Sequence, residues 1–503
     1  MTLHIPAPWH WLLIATLFIV YPIFHAIYNL YFHPLSKIPG PPLWCAIRLR
    51  YVFSQLSGNI VQDSAKFHQK YGHIVRVAPD EVSIVDKDIW ADALQAPQIS
   101  KDPRWWEPLP GLPALGIFGA INPDNHARVR KLISPAFTPR TLISQEPILQ
   151  KYTSLLITRL REVVSANPDK PQNIVEWFNF TTFDIFGDLL FDESFECLHH
   201  SQYHSWMALL FNYAKSTVYN AVPGYYPWLG FVFKKLLPPS MKKMIRQHHQ
   251  FILDKLDRRF KAIDRPDAMS HIIKAMQAEK TTISMDQLTT TAMDIVTAGS
   301  ETTATALSAM VNYLVHHPDK LQNLTTELRT KFKDESEMTL DALREEKAPY
   351  LNAVINETLR MAPPIPWLPP RITPKEGKVI CGTFLPGNTT LVSQIYLMNR
   401  SPSYFHSPDT FTPERYLPSS TSDPTSPFYN DQHQVVQPFS VGPKSCFGQY
   451  LAWAEMRLIL ARLLWAFDLE MTQEKEETVW EELKVFVFWE KCGVWVRMKV
   501  RDT

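Results

Sequence analysis

One long segment near the middle of the chain limits the possible folds more than any other feature. Between residues 285 and 316, apolar residues recur every three or four positions, which predicts a continuous amphipathic helix. Pro318 predicts its end, because proline cannot continue the backbone hydrogen-bond ladder. At 1.5 Å per residue this helix would be roughly 48 Å long, so it would have to cross the whole molecule. The repeating positions are Met285, Leu288, Ala292, Ile295, Gly299, Leu307, Val311 and Leu314.

The rest of the chain has a mainly helical pattern with small β elements. Three stretches alternate in the way that strands do, and each contains turn-forming residues, so each predicts a hairpin. The predicted fold class is therefore mainly α, with one main domain extending from residue 44 to 503. The hairpins are residues 73–86 turning at 79–80, residues 378–396 turning at 386–388, and residues 483–500 turning near 492–493.

The charge balance excludes one class of partner. With 51 Lys and Arg against 50 Asp and Glu the net charge is +1, so nothing indicates nucleic acid. Hydrophobic residues make up 45% of the 503 residues, which is enough for a large core. Five widely spaced Cys residues form neither a disulfide framework nor a C-x-x-C metal pair, which favours a reducing compartment.

Residues 1–35 are predicted to be a membrane anchor. From Trp9 to Phe32 the chain is almost wholly apolar and lacks Asp, Glu, Lys and Arg, and a helix of about 20 such residues spans the hydrocarbon core. A cleaved signal peptide is the alternative, but the stretch is too long and no basic region precedes it. The first basic residues follow the stretch, which places the rest of the chain in the cytosol. A Pro-rich hinge, residues 36–43, comes next.

The strongest local signal is the run FSVGPKSCFG, residues 439–448, which leads into an apolar segment predicted to be a helix. Cys446 therefore comes just before a helix N-terminus, where free N–H groups and the helix dipole favour a thiolate. Gly442 permits a sharp turn, and Gly448 permits the close approach of a flat ligand. The alternative is that Cys446 is a small buried apolar residue. The ten-residue pattern favours the ligand.

This run resembles the haem-binding signature of the cytochrome P-450 family, F-x-x-G-x-R-x-C-x-G, and further motifs extend the resemblance over nearly the whole chain. The resemblance implies haem (iron protoporphyrin IX) with Cys446 as its axial ligand and Phe439, Gly442 and Gly448 around it. Lys444 stands where the family usually has an Arg that contacts a haem propionate. Lys keeps the charge but loses the bidentate fork, so that contact is expected to be weaker.

Two motifs imply a buried structural triad by the same resemblance. The run ETLR, residues 357–360, resembles E-x-x-R, and PERY, residues 413–416, resembles P-E-R-F with Tyr for Phe. In the family Glu357, Arg360 and Arg415 would pair behind the cysteine loop. Taken alone, E-x-x-R is equally consistent with an exposed pair on a helix.

The run AGSETT, residues 298–303, resembles the family's oxygen-activation motif on the long central helix. A threonine hydroxyl can donate to the carbonyl four residues earlier, here from Thr302 to Ala298, and Gly299 weakens the helix at the same place. Thr302 and Glu301 would then relay protons during O2 activation. A Thr-rich helix face with an exposed Glu is the alternative.

Two further stretches are similar to the family's propionate contacts. His126 and Arg130 are four residues apart, so on a helix they share one face. A solvated basic face is the alternative for this pair. Arg371 follows a Pro-rich stretch in the position where the family has another propionate contact.

Substrate contacts are implied only by position in the family, and a core role is the alternative for each residue. The predicted pocket would be apolar and would bind a lipophilic molecule. Its residues are Trp105, Trp106, Phe118, Ile295, Gly299, Ile365, Trp367 and Phe486.

The resemblance implies a monooxygenase that oxidises a lipophilic small molecule with O2. Within the family, the chain resembles fungal microsomal members of secondary-metabolite biosynthesis. The chain lacks a nicotinamide or flavin fingerprint, so electrons would come from NADPH through NADPH–cytochrome P-450 reductase, with cytochrome b5 as an additional candidate. Arg128, Lys131 and Lys444 are predicted docking contacts for the reductase.

The expected location of the protein is the endoplasmic reticulum membrane. The alternatives are a reductase-independent haem-thiolate isomerase or dehydratase and a non-catalytic membrane haem-binding protein.

Overall fold

The computed structural model divides the chain into two compact units. Unit 1 comprises Met1–Asp102 and Trp367–Gln394, and unit 2 comprises Pro103–Pro366 and Ile395–Thr503. The residues that the structure describes are 8–106, 112–226, 231, 235, 239–262, 265, 267–279, 283–472 and 477–501.

Helices dominate the described residues, in agreement with the predicted fold class. In chain order they are α1 (Pro8–Tyr31), α2 (Pro42–Ala46), α3 (Leu49–Ser57), α4 (Ile60–Tyr71), α5 (Pro123–Ile133), α6 (Pro139–Ala166), α7 (Ile174–Phe191), α8 (Cys197–His200), α9 (Ser205–Tyr225), α10 (Pro239–Lys261), α11 (Ala268–Glu279), α12 (Met285–His316), α13 (Pro318–Lys331), α14 (Pro349–Met361), α15 (Ile395–Asn399), α16 (Pro418–Thr421) and α17 (Gln449–Ala466).

The strands are short. In chain order they are β1 (Ile74–Ala78), β2 (Glu81–Ile84), β3 (Ser100–Lys101), β4 (Gln172–Asn173), β5 (Arg371–Ile372), β6 (Lys378–Ile380), β7 (Thr383–Leu385), β8 (Thr390–Ser393), β9 (Phe467–Met471) and β10 (Trp495–Val500).

Helix α12 confirms the predicted central helix at both ends. It begins after Ser284, whose side chain accepts a hydrogen bond from the N–H of Gln287 at 3.1 Å. It ends at His316, two residues before Pro318. Within unit 2 it packs against α7, α10, α14 and α17, which is why nearly every side chain along its 32 residues is buried.

Helix α17 follows the cysteine loop, as predicted. It begins at Gln449 with Gly448 as its N-cap residue, and its C-terminal half is fully buried. It packs against α6, α12 and α14 within unit 2. The cysteine loop thus leads directly into a helix that packs in the interior of this unit.

Unit 1 contains a five-stranded sheet in the order β1-β2-β8-β5-β3 and a separate hairpin of β6 and β7. Strands β1 and β2 pair antiparallel, which confirms the hairpin at residues 73–86. The predicted turn at residues 386–388 does not join paired strands. The hairpin there turns instead at Cys381-Gly382, because β7 pairs back onto β6 while β8 pairs in parallel with β2.

The prediction for the C-terminal hairpin was also wrong. Strand β10 pairs with β9 and β4, not with the residues just before Cys492. A small turn lies earlier, where the N–H of Glu490 donates to the carbonyl of Lys484 at 2.7 Å. Apolar residues occur in the stretches before and after Cys492, and alternation alone does not show which strand each of them joins.

The N-terminal apolar segment forms helix α1, which extends over 24 residues and contains Pro22. Within the part of the chain that the structure describes, no helix combines the length and apolarity that crossing a membrane requires.

Candidate functional site

The cysteine loop in unit 2 is a tight backbone turn that ends at a helix. Gly442 has φ +77°, a left-handed conformation that glycine adopts without strain. The N–H of Cys446 donates to the carbonyl of Phe439 at 2.8 Å, which closes the loop. Three residues after Cys446, α17 begins. The local signals in the sequence therefore place the thiol beside a helix N-terminus.

The thiol of Cys446 is accessible, although protein groups lie close to it. Its side chain is exposed, yet burial by the surrounding protein raises the pKa of the thiol. The N–H of Gly448 and the charge of Arg130 oppose this rise in the pKa without cancelling it.

Gly448 leaves the approach to the sulfur open. A Cβ atom at this position would meet only the Cys446 Sγ atom within 4 Å, at 3.9 Å. An added side chain would therefore occupy space beside the sulfur without touching other protein atoms. That space suits a large flat ligand on the thiolate, so the residues present fit a haem.

Arg130 ties α5 to the cysteine loop. Its Nη1 donates to the carbonyl of Ser445 at 2.6 Å and its Nη2 to the Ser445 hydroxyl at 3.2 Å. Burial lowers the pKa of Arg130. His126 lies one turn earlier on the same helix and is also buried. The Asn122 side chain caps α5 by accepting two backbone N–H bonds. The structure thus brings Arg130 to Cys446, with His126 on the same helix.

The predicted docking residues differ in exposure. Lys131 is exposed and Lys444 is half-buried. Arg128 donates to the side chains of Asn125 and Gln287, at 2.7 and 3.1 Å, so part of its hydrogen-bonding capacity is used inside the fold.

Arg371 belongs to unit 1 and lies on β5. Its Nε and Nη1 atoms are buried without a hydrogen-bond partner among the described residues, and burial lowers the pKa of its guanidinium to about 10. A buried cation in this state favours a negatively charged ligand group. Its predicted contact with a propionate stays a prediction.

On α12, Thr302 donates its hydroxyl to the carbonyl of Ala298 at 2.6 Å. Ala298, Gly299 and Thr302 are only half-buried, although the stretches on both sides of them are buried. An open space therefore lies along this face of the helix.

Gly299 packs closely against another helix. A Cβ atom there would lie 1.9 Å from Cζ of Phe186 on α7. Gly299 is therefore required for the contact between α7 and α12. The resemblance had placed it among the substrate contacts, and the sequence contained no sign of its partner.

Glu301 has a partner that the sequence analysis missed. Its Oε1 accepts a hydrogen bond from Nζ of Lys491 at 2.7 Å, and both side chains are almost fully buried. Lys491 also donates to the hydroxyl of Thr305 at 3.1 Å and to the amide oxygen of Asn179 at 3.4 Å. One sequence signal existed: Lys491 is a lone cation in an aromatic-rich stretch.

A cavity of about 380 Å³ in unit 2 opens beside this ion pair. Its wall combines aromatic rings with polar and charged groups. The polar and charged residues include Asn179, Tyr203, Lys215, Glu301, Glu490 and Lys491.

The residues of the predicted triad lie together in unit 2. Glu357 accepts from both Nε and Nη2 of Arg360 at 2.8 Å, and from Nε of Arg415 at 3.1 Å. All three side chains are completely buried. Arg415 also pairs with Asp431, a residue that no sequence motif indicated. Helix α14, which carries two of the three, packs against α17.

The predicted substrate residues do not form one described group. Phe486 lines the cavity beside Glu301. Trp105 is buried and donates to the Tyr225 hydroxyl at 2.5 Å, as a core residue would. The N–H of Phe118 donates to Asp294 at 3.1 Å. The other placements are Ile295 buried on α12, Trp106 and Ile365 half-buried in unit 2, and Trp367 buried in unit 1.

Comparison with known proteins gives a consistent result. Residues 38–493 match the family model described as cytochrome P-450. The chain is 39% identical over 492 residues to a cytochrome P-450 monooxygenase of Purpureocillium lilacinum, covering 96% of this chain and 92% of the relative. It is 39% identical to an averantin hydroxylase of Dothistroma septosporum, covering 94% and 88%. It is 37% identical to a trichothecene C-4 hydroxylase of Trichoderma arundinaceum, covering 94% of each.

Proposed function

Because this chain belongs to the cytochrome P-450 family of haem-thiolate monooxygenases, we propose that it inserts one oxygen atom of O2 into a lipophilic secondary metabolite of a fungus. The second oxygen atom leaves as water, and two electrons come from NADPH through a separate reductase. The observation that carries this proposal is the accessible thiol of Cys446 just before α17, with open space beside it at Gly448.

The residues proposed to hold the haem come from two elements of unit 2. Cys446 would supply the sulfur ligand, and Gly448 keeps the space beside it open. Arg130, His126 and Lys444 supply positive or hydrogen-bonding groups for the propionates, and Arg130 already contacts the loop. When bound, a thiolate-ligated haem supplies the activation of O2.

Thr302 is proposed to hold and pass on a proton. Its hydroxyl lies at the half-buried face of α12 and donates to the carbonyl of Ala298. Rotation of that hydroxyl would free its proton for a ligand in the open space. Glu301, which comes directly before Thr302, is the proposed source of the proton that replaces the one Thr302 gives up.

The substrate class rests on the relatives and on the residues around α12. Two relatives are named for hydroxylating averantin and position 4 of trichothecenes. In this chain, Phe486 and Ile295 provide apolar contacts close to α12. We therefore propose hydroxylation as the reaction type.

A variant of the ligand tests the site. Cys446→Ala should lose the red-shifted absorption band of the reduced carbon monoxide complex, because that band requires the thiolate. Cys492→Ala, which changes the other exposed cysteine, is the matched control. An unchanged band in Cys446→Ala would show that the sulfur does not bind iron.

Metabolites test the reaction. Host cells with and without the gene should differ by a product one oxygen atom heavier than its precursor, and growth under ¹⁸O₂ should label that atom. Product formed by the purified protein without NADPH and reductase would instead support an isomerase or dehydratase. A haem-loaded protein that consumes no NADPH with any extract would support a haem-binding protein without catalysis.

The reductase is proposed to dock where Lys131 and Lys444 lie. Lys131→Glu should slow haem reduction by NADPH, with a larger effect at low salt, because charge attraction guides such encounters. Lys484→Glu, at an exposed lysine elsewhere in unit 2, is the control. Equal rates of haem reduction in both variants and the wild type would contradict docking at this surface.

Helix α1 is proposed to attach the chain to the endoplasmic reticulum membrane, with the catalytic part in the cytosol. No charged residue lies between Trp9 and Phe32, and a chain that starts at Leu35 should be recovered in the soluble fraction. Equal membrane recovery of the full and shortened chains would contradict this role. The large apolar side chains that α1 and the next residue expose are Val20, Tyr21, Ile23, Phe24, Ile27, Tyr28, Tyr31 and Phe32.

A further inference from the structure

Glu301 and Thr302 are neighbours in the chain but face different surroundings. Successive residues of an α-helix point about 100° apart. Thr302 lies on the half-buried face, whereas Glu301 lies on the face that carries Thr297 and Thr305, one turn before and one turn after it. This second face lines the cavity of about 380 Å³. Glu301 in this position does not share the surroundings of Thr302.

Lys491 holds Glu301 on the cavity side. Its ammonium group donates to Glu301, Thr305 and Asn179, at 2.7, 3.1 and 3.4 Å. These three acceptors match the three donors of an ammonium group, so the geometry of the pair is well defined. The side chains of Lys491 and Glu301 are only 6% and 11% exposed.

The second carboxyl oxygen of Glu301 remains available. Its Oε2 is buried and has no hydrogen-bond partner among the residues that the structure describes. Because Glu301 lines the cavity, this oxygen can bind a donor there. A buried carboxyl oxygen without a protein partner favours a bound water.

The cavity also contains charged groups that reach solvent. Lys215 and Glu490 form an ion pair in its wall, and each side chain is more than a third exposed. The hydroxyl of Tyr203, hydrogen-bonded to Asn179, lies in the same wall. The wall is mostly apolar, and its polar groups include both a solvent-exposed ion pair and the buried Glu301.

We infer that Lys491 is a positioning residue that holds Glu301 at a cavity with solvent-exposed groups in its wall, where the carboxyl group collects the protons that it later passes toward Thr302. This inference rests on the proposed function, because it assigns the proton supply of the same reaction. Reduction of O2 to peroxide takes two electrons and two protons. Reduction to water takes four of each, so a slow proton supply diverts electrons to peroxide.

The test uses the full chain loaded with haem, with purified reductase, NADPH and O2. Hydrogen peroxide released per NADPH consumed is measured in H2O and D2O, so no identified substrate is needed. Lys491→Met removes the charge at similar length and should raise the peroxide share several-fold. It should also increase the solvent isotope effect on NADPH consumption, because proton supply becomes limiting. Lys491→Arg should restore both values toward the wild type.

Two further variants separate positioning from loss of structure. Thr305→Val keeps both charges and removes one acceptor of Lys491, so it should raise the peroxide share by a smaller factor. Glu301→Gln combined with Lys491→Met should behave like Glu301→Gln alone, because two residues that act as a unit are not additive. Lys484→Met, at an exposed lysine in the same C-terminal region, is the control.

The outcomes distinguish the two proposals. A normal carbon monoxide band and normal NADPH use, with the same peroxide share and isotope effect in Lys491→Met as in Lys484→Met, would overturn the role of Lys491 and leave the monooxygenase intact. Additive effects in the double variant would overturn it as well. A wild-type protein that lacks the band or consumes no NADPH would instead refute the proposed function.

Discussion

At the residue scale, the side chains around α12 illustrate how one helix can serve two different spaces. Thr302 bonds within the helix and borders a half-buried face. Glu301 is held by a residue 190 positions away in the chain. The same sequence run therefore contains one group whose geometry is local and one whose geometry depends on the tertiary fold.

Thr302→Ala should raise the peroxide released per NADPH several-fold, because the hydroxyl that passes on the proton is lost. Thr302→Ser keeps a hydroxyl and should stay close to the wild type. Thr289→Ala is the matched control, since Thr289 makes the same kind of bond to the carbonyl four residues earlier, at 2.7 Å. Full coupling in Thr302→Ala, measured as NADPH and peroxide together, would contradict the relay.

The buried Glu455 on α17 should make the free energy of unfolding depend on pH. Its carboxyl group is buried, and burial raises its pKa to about 8 from the ordinary value of 4.5. The folded protein therefore keeps a proton that the unfolded chain loses above that ordinary value. The stability due to this proton is complete below pH 4.5 and is lost as the pH rises through 8.

Glu455→Gln should remove this dependence. Between those two pKa values the wild type should lose about 1.4 kcal/mol per pH unit relative to the variant. Denaturant unfolding at a series of pH values measures the difference. Parallel curves for the two proteins would show that the carboxyl group is not protonated in the fold.

At the element scale, the contact between α7 and α12 depends on the absence of one side chain. Gly299→Ala should destabilise unit 2 by about 1–3 kcal/mol, because the new Cβ would overlap the Phe186 ring and the helices would have to separate. Adding Phe186→Leu should recover part of the loss. Thermal unfolding of both variants gives the values.

A control for this contact lies next to Gly299. Ser300 is completely buried on α12, and its hydroxyl has no hydrogen-bond partner among the described residues. Ser300→Ala removes a buried polar group without adding volume, so it should be neutral or stabilising. If Gly299→Ala were equally well tolerated, close packing of these helices would not be required.

At the scale of the whole molecule, the buried triad joins segments that are far apart in the chain. Glu357→Ala leaves two buried guanidinium groups without their shared carboxylate. The expected loss is about 3–5 kcal/mol of unfolding free energy, with weaker haem retention. The midpoint of thermal unfolding and the carbon monoxide band measure both effects.

The matched control is an ion pair on the surface. Asp341 pairs with Arg344, and both side chains are 58% exposed, so water screens the charges. Asp341→Ala should leave the unfolding midpoint unchanged. A similar loss in both variants would mean that burial does not distinguish the triad from a surface pair.

The sequence alone predicted the features that depend on a few neighbouring residues. Three- and four-residue periodicity and Pro318 predicted both ends of α12. The loop before α17 indicated the position of Cys446, because glycine turns and helix starts have local signatures. The family resemblance followed from the same local runs and is confirmed.

The tertiary structure decided which distant segments meet. Lys491 binds Glu301, Gly299 packs on Phe186, and β10 pairs with β9 and β4. A lone lysine, a glycine or an apolar strand is compatible with many partners. The local sequence around each is the same whichever partner it contacts. The partner is selected only when burial and hydrogen bonding are satisfied across the whole unit at once.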